Sequence, residues 1–311
     1  MPPKSPLPPR NGLGASWLRT PDRGKPTPWP TIRDFLIGRL GPLGADGVDA
    51  MLAGGEFVDD RGARWSGVES VLPNTFIWFH KQLRPEVVAP FELPVIYRDE
   101  RILVIDKPPF VATTPRGRHV LNSVVVRART ELELPELSPA HRLDRLTAGV
   151  LILTTRARWR AAYQECFQRR RVRKRYLAIA PIRPDLQLPR VVLSHLAKAP
   201  DSLQVREIPG RTPNAESEIE LLERRSGFGL YQLHARTGQM HQLRVHLNAL
   251  GIPIVGDPLY PIVGTLTDDD HENPLRLLAA QTSFVDPVDH VAHTFCSARQ
   301  LRWPDQEQAA Y

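Results

Sequence analysis

Apolar positions along this chain recur mostly in strand-length runs. The clearest is Val150-Leu151-Ile152-Leu153, preceded by Gly149 and closed by two threonines, which predicts a buried strand over 150–155. Further runs predict strands at 101–106, 176–180, 191–196, 203–207, 217–224 and 229–235, with a late one around Cys296. Lys107-Pro108-Pro109 ends the strand at 106, because proline lacks an amide hydrogen and restricts the residue before it. Helical spacing is found at Ile32, Phe35, Leu36 and Leu40, and over 47–52, 158–170 and 240–249. Strands outnumber helices and often follow one another directly. The expected fold is therefore α+β, a mixed, largely antiparallel sheet flanked by helices.

The same pattern divides the chain. Residues 1–30 carry Pro2, Pro3, Pro6, Pro8 and Pro9 among Lys4, Arg10, Arg19, Arg23 and Lys25, and cannot build a core alone. Trp17 and Trp29 predict that this basic arm lies on the body of the protein. Residues 31–82 read as a small N-terminal α/β domain: two helices, Gly54-Gly55, a strand at 56–59, a turn at Asp60-Arg61-Gly62, Trp65 and a closing strand at 76–79. That order resembles a degenerate S4-type RNA-binding domain. Its second helix carries Asp46 and Asp49 where the resemblance implies basic residues, so a structural appendage is the alternative. A linker over 83–96 leads to the main domain, 97–311.

At 311 residues the chain can form two unequal domains with a core that needs no metal or disulfide support. Cys166 and Cys296 lie far apart and outside any CxxC motif, as expected of free thiols in a reducing cytoplasm. There is no apolar signal core at the N-terminus and no run of about 18 apolar residues, so a cytoplasmic protein that contacts no membrane is expected, with a monomer as the default. The net charge of +7 favours a polyanionic partner. Its distribution says more, because Arg169, Arg170, Arg171, Arg173, Lys174 and Arg175 are six basic residues within seven positions. Such a run is either a solvated face or a surface that contacts phosphates.

The chemistry centres on His141-Arg142-Leu143-Asp144-Arg145-Leu146-Thr147-Ala148-Gly149, at the lip of the 150–155 strand. One carboxylate stands there between two guanidinium groups. Nearby positive charge favours the anion, which makes Asp144 a candidate nucleophile; the alternative, an exposed Arg–Asp–Arg cluster, would stabilise little. Asp144 is the only acidic residue in the motif, whereas a glycoside hydrolase normally needs a pair, which argues against a nucleoside hydrolase. His241 and His246 stand five apart, about 140° around a helix, unlike the i, i+4 pair of a zinc site, so no metal is expected.

Four segments, in order, resemble the RluA-type pseudouridine synthases. They are 141–153, Arg175-Tyr176-Leu177-Ala178, Arg236-Thr237-Gly238-Gln239-Met240-His241-Gln242-Leu243-Arg244-Val245-His246, and Gly251-Ile252-Pro253-Ile254-Val255-Gly256-Asp257-Pro258-Leu259-Tyr260. Lys107-Pro108 and the stretch from Leu275 to Ala280 match weaker flanking patterns. The resemblance implies a central active-site cleft and isomerisation of uridine in structured ribosomal or transfer RNA. No cofactor is implied, since the reaction is redox-neutral and the leaving base is also the acceptor.

By the same resemblance Asp144 is the essential carboxylate, acting through a covalent adduct or through assisted loss of the base. Arg142 helps to displace the target nucleotide from its stack. Tyr176 offers a stacking face and a hydroxyl, and Arg244 is expected to hold Asp144 as a bidentate partner. The RNA-binding candidates are Arg142, His141, Lys107 and the run Arg169, Arg170, Arg171, Arg173, Lys174 and Arg175. Thr147, Gly149, Gly238, His241 and Gln242 are expected to be structural residues near the cleft. Gln239 and Ala148 depart from the family pattern, which usually has a basic residue and a serine there. An RNA-binding ribosome-assembly factor whose catalysis is dispensable is the alternative on the same fold.

Overall fold

The computed structural model of the chain describes residues 3–83, 85–86, 90–200, 202–264, 271 and 273–304, which fall into two compact units, Met1–Pro85 and Glu86–Tyr311. In the first unit, β1 (Ser16–Arg19) and β2 (Phe76–Phe79) form an antiparallel ribbon, and α1 (Ile32–Arg39) and α2 (Gly44–Ala53) complete the fold. Helix α1 begins where Thr31 and Asp34 cap each other reciprocally. Its Ile32, Phe35 and Leu36 join Val48, Met51 and Leu52 of α2 and Phe57, Ile77 and Phe79 in one core.

Three expectations are corrected here. Part of the 1–30 arm is a strand, because Leu18 alternates with Trp17 and Arg19 and packs on that core. The segment 56–59 forms no strand; only Val58 bridges, to Arg64 and Trp78. The 83–96 linker is also too long at its far end, since a strand of the main sheet begins at Val95 and the second unit begins at Glu86. The Glu86 carboxylate accepts the amide hydrogens of Val120, Leu121 and Asn122.

The second unit contains β3 (Val95–Arg98), β4 (Ile102–Lys107), α3 (Val124–Glu131), β5 (Ser138–Pro139), β6 (Ala148–Thr154), α4 (Ala157–Gln168) and β7 (Val172–Pro181). It continues with β8 (Arg190–Ser194), β9 (Leu196–Lys198), β10 (Val205–Glu207), β11 (Ala215–Arg225), β12 (Phe228–Ala235), α5 (Gln242–Ala249), β13 (Leu277–Val285) and β14 (Ala292–Cys296). The main sheet runs β3-β4-β6-β13-β7-β12-β11-β8, with β14 on β13 and β5 on β6. All its pairings are antiparallel except β13 with β6. The predicted 191–196 strand is broken at His195 into β8 and β9, and β9 pairs with β10 in a separate two-stranded sheet.

The apolar run at 150–153 is buried on both faces. Val150 and Ile152 meet Ile102, Val104 and Tyr163 of α4, while Leu151 and Leu153 meet Leu103, Ile105 and the α3 residues Val124 and Val125. Helix α3 has no counterpart in the sequence expectations: three consecutive valines favour strand locally, and burial against β4 and β6 overrides that preference. Gly149 has a structural cause, with φ +111 and a position where any Cβ would lie 2.3 Å from the Ala279 carbonyl of β13. Among the described residues, no helix is long and apolar enough to cross a membrane.

Candidate active site

The loop 141–147 leads into the start of β6 and is pinned through its backbone. Thr113 Oγ1 donates to the Leu143 carbonyl at 2.7 Å and accepts the Leu143 amide at 3.1 Å. Lys107 Nζ donates to the carbonyls of Pro108 and Val111, both at 2.8 Å, and to that of Arg145 at 3.1 Å. The Thr147 amide closes the turn on the Asp144 carbonyl at 3.1 Å. The carbonyl or amide of both neighbours of Asp144 is thus held from beneath, and its own side chain is left 33% exposed.

Two RNA-binding assignments fall at this point. Lys107 is fully buried and spends its three donors on carbonyls, and burial pushes its ammonium well below the ordinary lysine range. It is a strut under the Asp144 loop. His141 stacks on Phe167 with 4.3 Å between ring centres, and its Nε2 accepts the Ile152 amide hydrogen at 3.1 Å. Burial, aided by the charge on Lys174, pushes its pKa down to about 3, so the ring is a neutral anchor for the loop. Arg142 is exposed.

Helix α5 brings Arg244 toward Asp144, with Nη1 3.9 Å from Oδ2. The expected bidentate pair is not this one. Arg244 Nε and Nη2 instead donate to Asp257 Oδ2 and Oδ1 at 2.7 and 2.6 Å, and the Asp257 side chain is completely buried. Asp257 Oδ1 also accepts the amides of Leu259 and Tyr260, and the guanidinium lies over the Tyr260 ring at 5.3 Å. Asp257 was therefore a functional residue that sequence reasoning passed over. Its signal was a lone carboxylate between Gly256 and Pro258 in an otherwise apolar segment.

His241 caps α5 in the left-handed conformation, φ 55. Its Nε2 lies 3.9 Å from Asp144 Oδ2 and its Nδ1 3.1 Å from the Tyr260 hydroxyl. Burial and then the Arg244 charge push its pKa down to about 4, so the ring faces Asp144 as a neutral polar group. Gln242 uses both ends of its amide: Oε1 accepts from Thr237 Oγ1 and the Gln239 amide, and Nε2 donates to the Glu216 carbonyl and Ser217 Oγ. That clamps the 237–242 turn on β11, in keeping with a structural role. At Gly238 a Cβ would meet only Lys174 Nζ at 3.7 Å, an ordinary contact.

Strand β7 carries the remaining candidates. Tyr176 packs between the two apolar clusters that flank β7 and β6. Its hydroxyl is pushed above the ordinary tyrosine range by burial and then by the negative charge of Asp144, which puts the two groups within electrostatic reach. The basic run divides. Lys174 Nζ donates to the Thr237 carbonyl at 2.9 Å, with its pKa lowered to about 8 by burial, and Arg175 donates to Gln281 and Gln232. These two serve the fold, whereas Arg169, Arg170, Arg171 and Arg173 are exposed. Away from this site, Asp286, Asp289 and His293 have ligand-type atoms within 4.8 Å of one another, but the Arg101 guanidinium already pairs with both carboxylates.

The family described as RNA pseudouridylate synthase matches residues 101–249. Pseudouridylate synthase RPUSD2 of Mus musculus is 32% identical over 186 residues, covering 58% of this chain and 32% of its own length. The Dual-specificity RNA pseudouridine synthase RluA of Vibrio vulnificus is 29% identical over 201 residues, covering 63% of this chain and 79% of its own. The chain thus spans about a third of the first of these relatives. The structure of Human RNA Pseudouridylate Synthase Domain Containing 4 shares the fold, with a TM-score of 0.52 at 22% identity over 68% of this chain and 90% of that one.

Proposed function

We propose that the chain is an RluA-type RNA pseudouridine synthase, as its similarity to RNA pseudouridine synthases supports, and that it isomerises uridine to pseudouridine in structured ribosomal or transfer RNA, with Asp144 as the essential catalytic residue. One observation carries this reading: a one-third exposed carboxylate on a backbone-pinned loop faces the buried Arg244 and His241, with Tyr176 within its field. The reaction breaks the bond between ribose C1′ and uracil N1, turns the detached base, and joins C1′ to C5. The C5 proton is lost and N1 gains one, so atoms balance without any cofactor.

Asp144 either attacks C1′ or removes a ribose proton, and both routes need it ionised. Arg244 places a positive charge beside it, and its fork is held by Asp257 so that only Nη1 faces the catalytic carboxylate. Tyr176 contributes an aromatic face and a hydroxyl that stays protonated. A glycosidic bond inside a stacked helix is inaccessible, so the nucleotide must flip, at about a few kcal/mol. The exposed Arg142 is the residue to fill the gap, and Arg170, Arg171 and Arg173 meet the backbone. A reducing cytoplasm suits Cys166 and Cys296, which form no disulfide.

The test is bulk cellular RNA treated with purified protein. Asp144→Asn should bind RNA and form no pseudouridine; undiminished pseudouridine would remove Asp144 from its role. Rescue of a deletion phenotype by the same variant would favour the assembly-factor reading instead.

A further inference from the structure

The ribbon of the first unit has two unlike faces. Its register sets Trp17 opposite Trp78 and Arg19 opposite Phe76, and directly opposed residues share a face. Those four side chains therefore lie on one side, while Leu18, Ile77 and Phe79 serve the core on the other. Trp78 is the fixed floor, buried, with Nε1 donating to Asp60 Oδ1 at 2.9 Å. Phe76 stacks beside it at 6.2 Å and 22°, and Trp17 stands edge-on to Phe76 at 5.4 Å. Trp17 is 44% exposed, the most exposed Trp, Tyr or Phe side chain among the described residues. The Arg19 guanidinium lies 5.9 Å from the Phe76 ring centre, held by Asp22 and Asn74 at 2.8 and 2.6 Å. Arg10 and Arg23, in the same arm, are exposed, as is Lys25, which shares Asp22 with Arg19 at 3.4 Å.

We propose that this outer face is a second RNA contact, on which an unpaired nucleobase stacks against Trp17 while its backbone is drawn to Arg19 and the basic arm. A preorganised aromatic ladder beside a guanidinium is what binds single-stranded nucleic acid without reading its sequence. The helix pair of the same unit is a poorer RNA face. Arg33 on α1 is bound through both arms of its fork to Asp49 of α2, at 2.6 and 2.7 Å, and Asp46 adds a further negative charge. The inference rests on the reading of this protein as an RNA-modifying enzyme, but its test does not depend on catalysis.

The full chain is titrated with a fluorescent single-stranded oligouridine and with a duplex of equal length, across a salt series. Trp17→Ala and Trp17→Leu should each weaken single-strand binding about tenfold, within the range of base–aromatic stacking. Trp17→Phe should retain most of it, duplex binding should change less than about twofold, and the salt slope should stay the same because no phosphate contact is lost. The leucine variant keeps an apolar side chain on the ribbon but no π face, so it separates stacking from a folding defect. Wild-type affinity in the alanine or leucine variant, or equal losses on duplex and single strand with a shallower salt slope, overturns the proposal. Pseudouridine is measured in the same preparations. Asp144-dependent product with binding indifferent to Trp17 removes this inference alone, whereas Trp17-dependent binding without any product removes only the proposed activity.

Discussion

Asp257→Asn and Asp144→Asn exchange the same atoms at two carboxylates that both face Arg244, and the structure assigns them opposite consequences. The Asp257 side chain has no solvent exposure, bonds Nε and Nη2 of the guanidinium and accepts two further amides. Neutralising it leaves a guanidinium that is 2% exposed without its counter-charge, and breaking one side of a buried pair costs about 3–5 kcal/mol. In a unit the size of Glu86–Tyr311, about 2–4 °C of melting temperature is lost per kcal/mol, so a fall of roughly 6–20 °C is expected. Asp144 is one-third exposed and its contacts to Arg244 and His241 are 3.9 Å long. A pair of that kind contributes about 0–1 kcal/mol, so Asp144→Asn should melt within a few degrees of wild type while losing activity. Thermal melts of the two variants in one buffer decide it. If Asp257→Asn melts with Asp144→Asn, Asp257 does not anchor the guanidinium and the account of Arg244 as a pre-set counter-ion is wrong.

Lys107→Met should lower stability, because three buried carbonyls lose their donor at about 1–3 kcal/mol each as an upper range. It should also lower kcat by loosening the Asp144 loop; a loss of RNA affinity with normal stability would restore Lys107 as an RNA contact. Arg171→Gln with Arg173→Gln should weaken RNA binding and flatten the salt slope by about 0.7 per lost phosphate contact, with an unchanged melting temperature. Acid should destabilise the fold early. His141, His241 and His246 have folded pKa values pushed down to about 3, 4 and 4 by burial, below about 6.5 in the unfolded chain. The unfolded state therefore takes up protons first, and stability complete above about pH 7 is lost as pH falls toward 4, by up to about 4 kcal/mol per pH unit when all three titrate. Denaturant midpoints at pH 7.5, 6 and 5 that do not move would contradict the neutral assignment of these rings.

Local sequence determined much of this protein. Four aliphatic residues in a row at 150–153 marked a strand buried on both faces, and Asp144, Tyr176 and Arg244 stood out as candidates from their motifs, because element type and motif chemistry are written in neighbouring residues. Gly149 was legible as a structural residue near the cleft, but its reason, the carbonyl of Ala279 against any Cβ, belongs to a strand more than a hundred residues away. The same distance hid the rest. Lys107 and His141 looked like cations for RNA because charge and ring nitrogen are visible in a sequence, whereas burial and the three carbonyls or the Phe167 ring that consume them are not. Likewise Arg244 was paired with the wrong carboxylate, since a guanidinium has a fixed fork and only the folded chain decides which acid meets it. Sequence determined which groups could do the chemistry; tertiary structure alone decided which of them face solvent and which hold the others in place, because desolvation and pairing are properties of neighbours in space.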